Sequence, residues 1–410
     1  MRLAVSLYGT RVGALQGDAR TFDFTPSEVG IARFGMNSRV LSVSIPLTPV
    51  LRRGHANRRR NWFGELLPEG DQLDYMLAQG NLRRGDTLAF LARYGRDVAG
   101  ALQFWDLGDP TEPQTPALKP LSDSDVRHLL EDPIGAPLAN QGTLGKSSLG
   151  GVQPKIVLAQ TKHGWSQALG GHPTTHILKP QLPGAHETVI FDEEYGARIA
   201  RSLVLANFDT WIEDFAGLPT LVIERYDRAN GERIHQEDFN QVLGAQGNEK
   251  YQEVGGIVSL KRIAEALRRN SLQPDLTVLA RMTILSVALG NLDMHAKNLG
   301  LLHLTNGDVR LAPAYDVVPQ AHMNNDGKLA LAVNKVYRHR DVTRQDLSAE
   351  LKAWGLRHPD AVIEQTLGEI ASAVDSEVPL PGADGGLQEE IAGFVRNLQE
   401  GRAVGLPLAG

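Results

Sequence analysis

The stretch Gly290-Asn291-Leu292-Asp293-Met294-His295-Ala296-Lys297-Asn298 sets a carboxylate, Asp293, five residues before a carboxamide, Asn298. A second aspartate follows in Ala314-Tyr315-Asp316-Val317-Val318. Kinase-type phosphoryl transfer needs a carboxylate to orient an attacking hydroxyl and accept its proton. It also needs an amide oxygen and another carboxylate to hold magnesium on the phosphates. The pattern D-x-x-x-x-N with a separate downstream metal aspartate meets that need. No His-Arg-Asp precedes it and no Asp-Phe-Gly follows. An Asp and an Asn at this spacing also suit an ordinary capped turn, so the flanking chain has to decide.

The 410 residues suffice for two or three domains, and 42% apolar with 22% charged residues is ordinary globular composition. A formal net charge of −6 excludes a global basic field that would draw the chain onto nucleic acid. Cysteine is absent, so a disulfide, a thiolate nucleophile and a Cys-zinc site are all excluded. The N-terminal apolar run is too short for a signal peptide. The longest apolar stretch, Leu276 to Leu289, is interrupted by Arg281 and too short to cross a bilayer. A cytoplasmic protein without a membrane association is expected.

Outward from the central stretch, residues 3–8 alternate into Gly9-Thr10 and predict a hairpin with 11–15. Phe22-Asp23-Phe24 and Leu41 to Ile45 read as further short strands. Arg52, Arg53, Arg58, Arg59 and Arg60 cluster around His55, either a solvated face or a contact for phosphate or an acidic partner. A helical region is expected from Trp62 to about Tyr94, then a turn at Gly95 to Gly100 and a strand at Ala101 to Trp105. Residues 106–120 read as a linker, and Ser122 as the cap of a short helix. Gly145-Lys146-Ser147 resembles the end of a P-loop, but its first glycine would fall on Asn140. Gly150, Gly151 and Pro154 instead make a flexible loop before a strand at Lys155 to Ala159. That is the form of a lid over nucleotide phosphates, or of a plain surface loop. Lys179 ends a strand from Thr174 and can reach phosphates as a point charge, as can any solvated lysine; His176 in that strand reads as structural. A helix opens at Asp192, and Glu194 there can pair with Lys179 or simply favour the helix dipole. Thr220 to Arg228 reads as a strand in the hinge position. Helices are expected at Ser259 to Arg269 and Leu276 to Leu289. A hairpin through Asn306-Gly307 then brings Asp293 and Asn298 towards Asp316, and from about Asp346 the chain is mostly helical.

This order of parts gives the flanking words their meaning. Ser148-Leu149-Gly150-Gly151-Val152-Gln153-Pro154-Lys155, Thr175-His176-Ile177-Leu178-Lys179, Glu224-Arg225-Tyr226-Asp227-Arg228, Asp293 to Asn298, and Tyr315-Asp316 resemble the HipA-type serine/threonine kinases. These are the toxins of bacterial toxin–antitoxin pairs. Arg11-Val12-Gly13, Leu66-Leu67-Pro68 and Gly95 to Gly100 are similar to words of that family's N-terminal domain, so the resemblance spans nearly the whole chain. It implies an α+β, two-lobed kinase-like fold: a small β-rich N-terminal domain at 1–110, an N-lobe-like region with ATP loop and hinge at 121–228, and a largely helical C-lobe at 229–410. It implies ATP, Mg2+ and γ-phosphoryl transfer to a Ser or Thr of a cellular protein, with aminoacyl-tRNA synthetases as the family's best-studied targets. Carried over, Asp293 is the catalytic aspartate, and Asn298 and Asp316 hold magnesium. Lys179 binds ATP phosphates under the loop Ser148, Gly150, Gly151, Val152, Gln153 and Lys155. Glu224 and Tyr226 flank adenine, and His295 joins the nucleotide-binding residues. Ser148 matches the serine that members autophosphorylate, where a dianion would repel ATP and act as an off-switch. Met294 departs from a familiar glycine. The expected partner is a helix-turn-helix antitoxin, with operator DNA reached only through it. Two other readings stay open: an antitoxin-docking co-repressor with little kinase activity, and a small-molecule phosphotransferase.

Overall fold

The structure is a computed structural model that describes residues 1–132, 137–140, 145–149, 153–271 and 274–407. The alternating N-terminus forms the expected hairpin, β1 (Arg2–Leu7) with β2 (Thr10–Gln16), extended by β3 (Asp23–Pro26) and β4 (Leu102–Asp106) into a sheet ordered β3-β2-β1-β4. Leu3, Val5, Leu7, Val12, Phe24, Trp62, Phe63 and Phe104 share its core. Leu41 to Ile45 is not a strand. The Ser42 hydroxyl and the Val43 N–H donate to the Glu237 carboxylate at 2.6 and 2.8 Å, so this backbone turns away from a sheet ladder.

The helical region opens six residues earlier than expected, with Ala56–Gly64, Gly70–Gly80 and Thr87–Tyr94. The arginine cluster divides accordingly. Arg59 is buried in a two-pronged bond to Asp23, both contacts at 2.6 Å, and Arg60 donates to the Phe22 carbonyl, while Arg52, Arg53 and Arg58 are exposed. The segment read as a linker contains β5 (Ala117–Pro120). It joins β6 (Ile156–Thr161), β7 (Gly164–Leu169), β8 (His176–Pro180), β9 (Thr210–Phe215) and β10 (Leu218–Glu224) in a sheet ordered β5-β7-β6-β8-β10-β9. Leu149 and Val157 share a cluster with Met76, Phe90 and Tyr94, so the helices after the first sheet pack directly on the second.

By contacts the chain forms two compact units. The first comprises Met1–Pro180, Glu213–Glu237 and Leu302–Asp308; the second comprises Gln181–Ile212, Asp238–Leu301 and Val309–Gly410. Within the first unit the charged end of the strand read at Thr220 to Arg228 is part of a buried ionic knot. Asp97 meets Arg228 at 3.0 Å, Arg233 at 2.9 Å and Arg225 at 3.7 Å, and Asp227 meets Arg225 at 2.7 Å. Burial alone would raise the Asp97 carboxyl; the three guanidiniums more than offset it and hold it far below the usual range.

The second unit is largely helical: Val189–Ser202, Leu260–Asn270, Pro274–Leu289, Arg344–Ala353, Pro359–Ser376 and Leu387–Gln399. Pro274–Leu289 is buried over most of its surface, as its uniform apolarity predicts. The hairpin of Lys328–Val333 with Val336–Arg338 was not foreseen, although both turn residues, Asn334 and Lys335, take the positive φ of a tight primed turn. Among the described residues no helix is long and apolar enough to cross a membrane.

Candidate active site

The central stretch follows the buried helix Pro274–Leu289 through Gly290, whose φ of +65° lies where glycine is favoured. A Cβ there would lie 2.6 Å from the Ala321 methyl, so the chain turns in a space that a side chain would fill. The loop is built from short-range bonds. The Asn291 carboxamide accepts from the Asp293 N–H at 3.1 Å, the His295 N–H donates to the Asp293 carbonyl at 2.7 Å, and the Asn298 N–H donates to the His295 carbonyl at 2.9 Å.

The hairpin expected after it forms, from strands Gly300–His303 and Val309–Leu311. The return segment is bonded to the loop at several points. Ala312 N–H donates to the Gly300 carbonyl, the Tyr315 hydroxyl to the Lys297 carbonyl at 2.7 Å, and Gln320 N–H to the Gly290 carbonyl at 2.9 Å. Asn298 Nδ2 completes the join: it donates to the Asp293 carbonyl at 2.9 Å and to Asp316 Oδ2 at 3.1 Å. With its nitrogen given to these two acceptors, the Asn298 amide takes no part in these bonds through its oxygen. Asp316 has φ +55°, an uncommon conformation for a residue with a side chain and one concentrated at functional sites. The structure thus brings Asp293, His295, Asn298 and Asp316 together, with His295 Nε2 3.8 Å from Asp293 Oδ2.

Among the described residues no group of three or more His, Asp or Glu could hold a metal alone. One carboxylate and one amide oxygen fit a magnesium ion that takes its remaining ligands from phosphates and water.

Lys179, Glu224, Tyr226 and the described residues of the Ser148 to Lys155 loop lie in the first unit, and Glu194 in the second. Lys179 is a buried β8 residue paired with Leu221 of β10, and Glu224 ends β10 opposite His176. His176 is structural, as expected: burial lowers it to about 4, so it stays neutral against the Trp165 ring. Tyr226 donates its hydroxyl to Gln236. Gly150, Gly151 and Val152 lie outside the described residues. Lys155 and Gln153 are half-buried, and Gln153 Nε2 is a buried donor with no hydrogen-bond partner among the described residues. Ser148 is fully buried, its hydroxyl donating to the Leu66 carbonyl at 3.0 Å and its N–H to the Asp97 carbonyl at 2.9 Å. Lys146, of the rejected P-loop word, is buried in an ion pair with Glu112 at 3.0 Å. Glu194 gives both carboxylate oxygens to Arg198, at 2.9 and 3.0 Å, one turn along its own helix.

Two contacts near the metal-type aspartate were not read from the sequence. A Cβ on Gly196 would meet the Val317 carbonyl at 2.1 Å, so helix Val189–Ser202 approaches the segment after Asp316 where only glycine fits. His322, farther along that segment, lies 3.3 Å from buried Asp192 and 4.0 Å from Glu390, with Asp384 also acting on it. The Asp192 bond raises His322 above its usual value, against burial. Such a group contributes stability that is complete below its unfolded value of about 6.5 and is lost as pH rises through the folded value. The melting temperatures of the wild type and His322→Gln should therefore differ most near about pH 6 and converge towards about pH 9. A gap that does not narrow with pH would contradict the pairing.

Comparison with known proteins places these features in a family. A model described as the HipA N-terminal domain matches residues 3–105, and one described as the HipA-like C-terminal domain matches residues 147–378. The putative kinase Y4mE of Sinorhizobium fredii is 35% identical over 321 residues, 73% of each chain. The serine/threonine-protein kinase toxin HipA of Shewanella oneidensis is 28% identical over 351 residues, 81% of this chain and 79% of the relative. The Shewanella oneidensis HipA solved in complex with HipB and operator DNA aligns with 97% of this chain and 99% of its own, at a TM-score of 0.79 and 24% identity, and has the same α+β fold. With both models matching in order and the second spanning more than half the chain, this protein belongs to the HipA family.

Proposed function

We propose that this chain is an ATP- and Mg2+-dependent serine/threonine protein kinase, the growth-inhibiting toxin of a cytoplasmic toxin–antitoxin pair. The observation that carries the reading is the Asn298 amide spanning the Asp293 carbonyl and the Asp316 carboxylate. That bond ties the segment of Asp293 to the segment of Asp316, which supports reading the three residues as base, metal amide and metal carboxylate of a positioning-dominated phosphoryl transfer. The named relatives support the kinase class, and the relative solved with HipB and operator DNA supports an antitoxin partner, here read as a helix-turn-helix protein that carries the contact to operator DNA.

In this reading the Asp293 carboxylate orients the acceptor hydroxyl and takes its proton. The Asn298 amide oxygen and Asp316 hold magnesium, which supplies neutralising charge on the phosphates. Lys179 binds the phosphates as a cation, and the loop from Ser148 to Lys155 covers them. Glu224 and Tyr226 bound the adenine position, and His295 lines the nucleotide side. Phosphorylation of Ser148 would replace the hydroxyl that donates to the Leu66 carbonyl with a dianion, which that acceptor repels. That makes the modification an off-switch.

The test is transfer of label from the γ-phosphate of ATP to proteins of a cell extract and to the chain itself. Label is expected on protein Ser or Thr, and EDTA is expected to reduce it to background. Label confined to small hydroxyl compounds would replace the reading with a small-molecule phosphotransferase.

A further inference from the structure

Tyr251 closes the 3-10 turn Gly247–Lys250 and is far in sequence from the loop it touches. Its ring meets the His295 imidazole edge to face, with centroids 5.5 Å apart and planes at 78°. Lys250 Nζ lies 5.3 Å from the centre of the same ring. His295 is buried, and its Nε2 stands 3.8 Å from Asp293 Oδ2. Strand Lys328–Val333 bonds this segment to the loop. Gln252 N–H donates to the Ala330 carbonyl at 3.0 Å, Ala332 N–H donates to Gln252 Oε1 at 3.0 Å, and Ala330 N–H donates to the Leu292 carbonyl at 2.8 Å. One strand therefore fixes the backbones of Gln252 and Leu292, and the ring of Tyr251 bridges the remaining gap to His295.

We propose that Tyr251, steadied by the Lys250 ammonium, is a positioning residue that sets the imidazole plane of His295 and through it the Asp293 carboxylate. The inference rests on the kinase reading for its kinetic consequence but not for its geometry. A histidine side chain has several staggered orientations open to it, and an aromatic edge against its face selects one. The Lys250 charge over the tyrosine face holds that ring in turn. Where catalysis is positioning, a carboxylate displaced by about 1 Å loses on the order of a hundredfold in rate.

Two measurements on the full chain separate the geometry from the reading. The first is the His295 imidazole resonance, assigned with His295→Gln and read without turnover. The second is steady-state transfer. Tyr251→Leu fills much of the volume but has no ring edge. It is expected to move the His295 resonance by loss of the ring current, and to lower kcat about 10- to 100-fold. Tyr251→Phe restores both, because it keeps the edge. A His295 resonance indifferent to leucine, or full turnover in Tyr251→Leu, would overturn the inference. A ring-current shift present in the wild type and lost in Tyr251→Leu, in a chain that transfers no phosphoryl group, would uphold the geometry and overturn the kinase reading alone.

Discussion

Asp293→Asn is expected to lower phosphoryl transfer by about 10³-fold or more, the scale of losing a positioned general base together with its hold on the acceptor hydroxyl. The fold should tolerate the change. The Asp293 side chain is 42% exposed, and its backbone is held by its N–H on the Asn291 amide and by its carbonyl under His295 N–H and Asn298 Nδ2. An asparagine keeps all of these, so nucleotide affinity and melting temperature should stay close to wild type while turnover falls. Growth inhibition should be relieved in parallel. Transfer within about tenfold of wild type would remove Asp293 from the role of base.

Glu237→Ala is expected to destabilise the first unit by about 3–5 kcal/mol, a large part of the total for an ordinary domain. Its buried carboxylate accepts from the Ser42 hydroxyl at 2.6 Å, the Val43 N–H at 2.8 Å, the Trp62 indole at 2.7 Å and His303 Nε2 at 2.9 Å. Burial raises this carboxyl, but the His303, Ser42 and Trp62 bonds together leave it below the usual carboxylate range. Truncation to alanine leaves the donors buried without an acceptor and opens a cavity. Urea unfolding of the full chain checks it. A loss under about 1 kcal/mol would mean that the site collapses or hydrates readily. Because the folded carboxyl is depressed, its contribution is present above the unfolded value of about 4.3 and is lost as pH falls through the folded one.

These two residues mark what the sequence made legible and what it hid. Asp293, Asn298 and Asp316 were readable because their spacing is local and the hairpin returning at Asn306-Gly307 is a turn with its own signature. The helix Pro274–Leu289 was readable from its unbroken apolarity. Glu237 had no signal, since its partners come from 42, 43, 62 and 303, and those pairings exist only once the chain has folded. For the same reason Leu41 to Ile45 looked like a strand: its side chains suit one, yet its polar groups serve a distant carboxylate. The words Gly95 to Gly100 and Glu224 to Arg228 were recognised as words, but that Asp97 and Asp227 knot three arginines beneath the surface could not be read from either. Tyr251 and His322 were missed likewise, one reaching the loop through space and the other meeting Asp192 from 130 residues away.

The most direct test of the kinase reading is the intact mass of the full, phosphatase-treated chain before and after incubation with ATP and Mg2+. A gain of one phosphoryl group, mapped to Ser148 and absent in Asp293→Asn, is expected. An unchanged mass with the ATP unconsumed would contradict it.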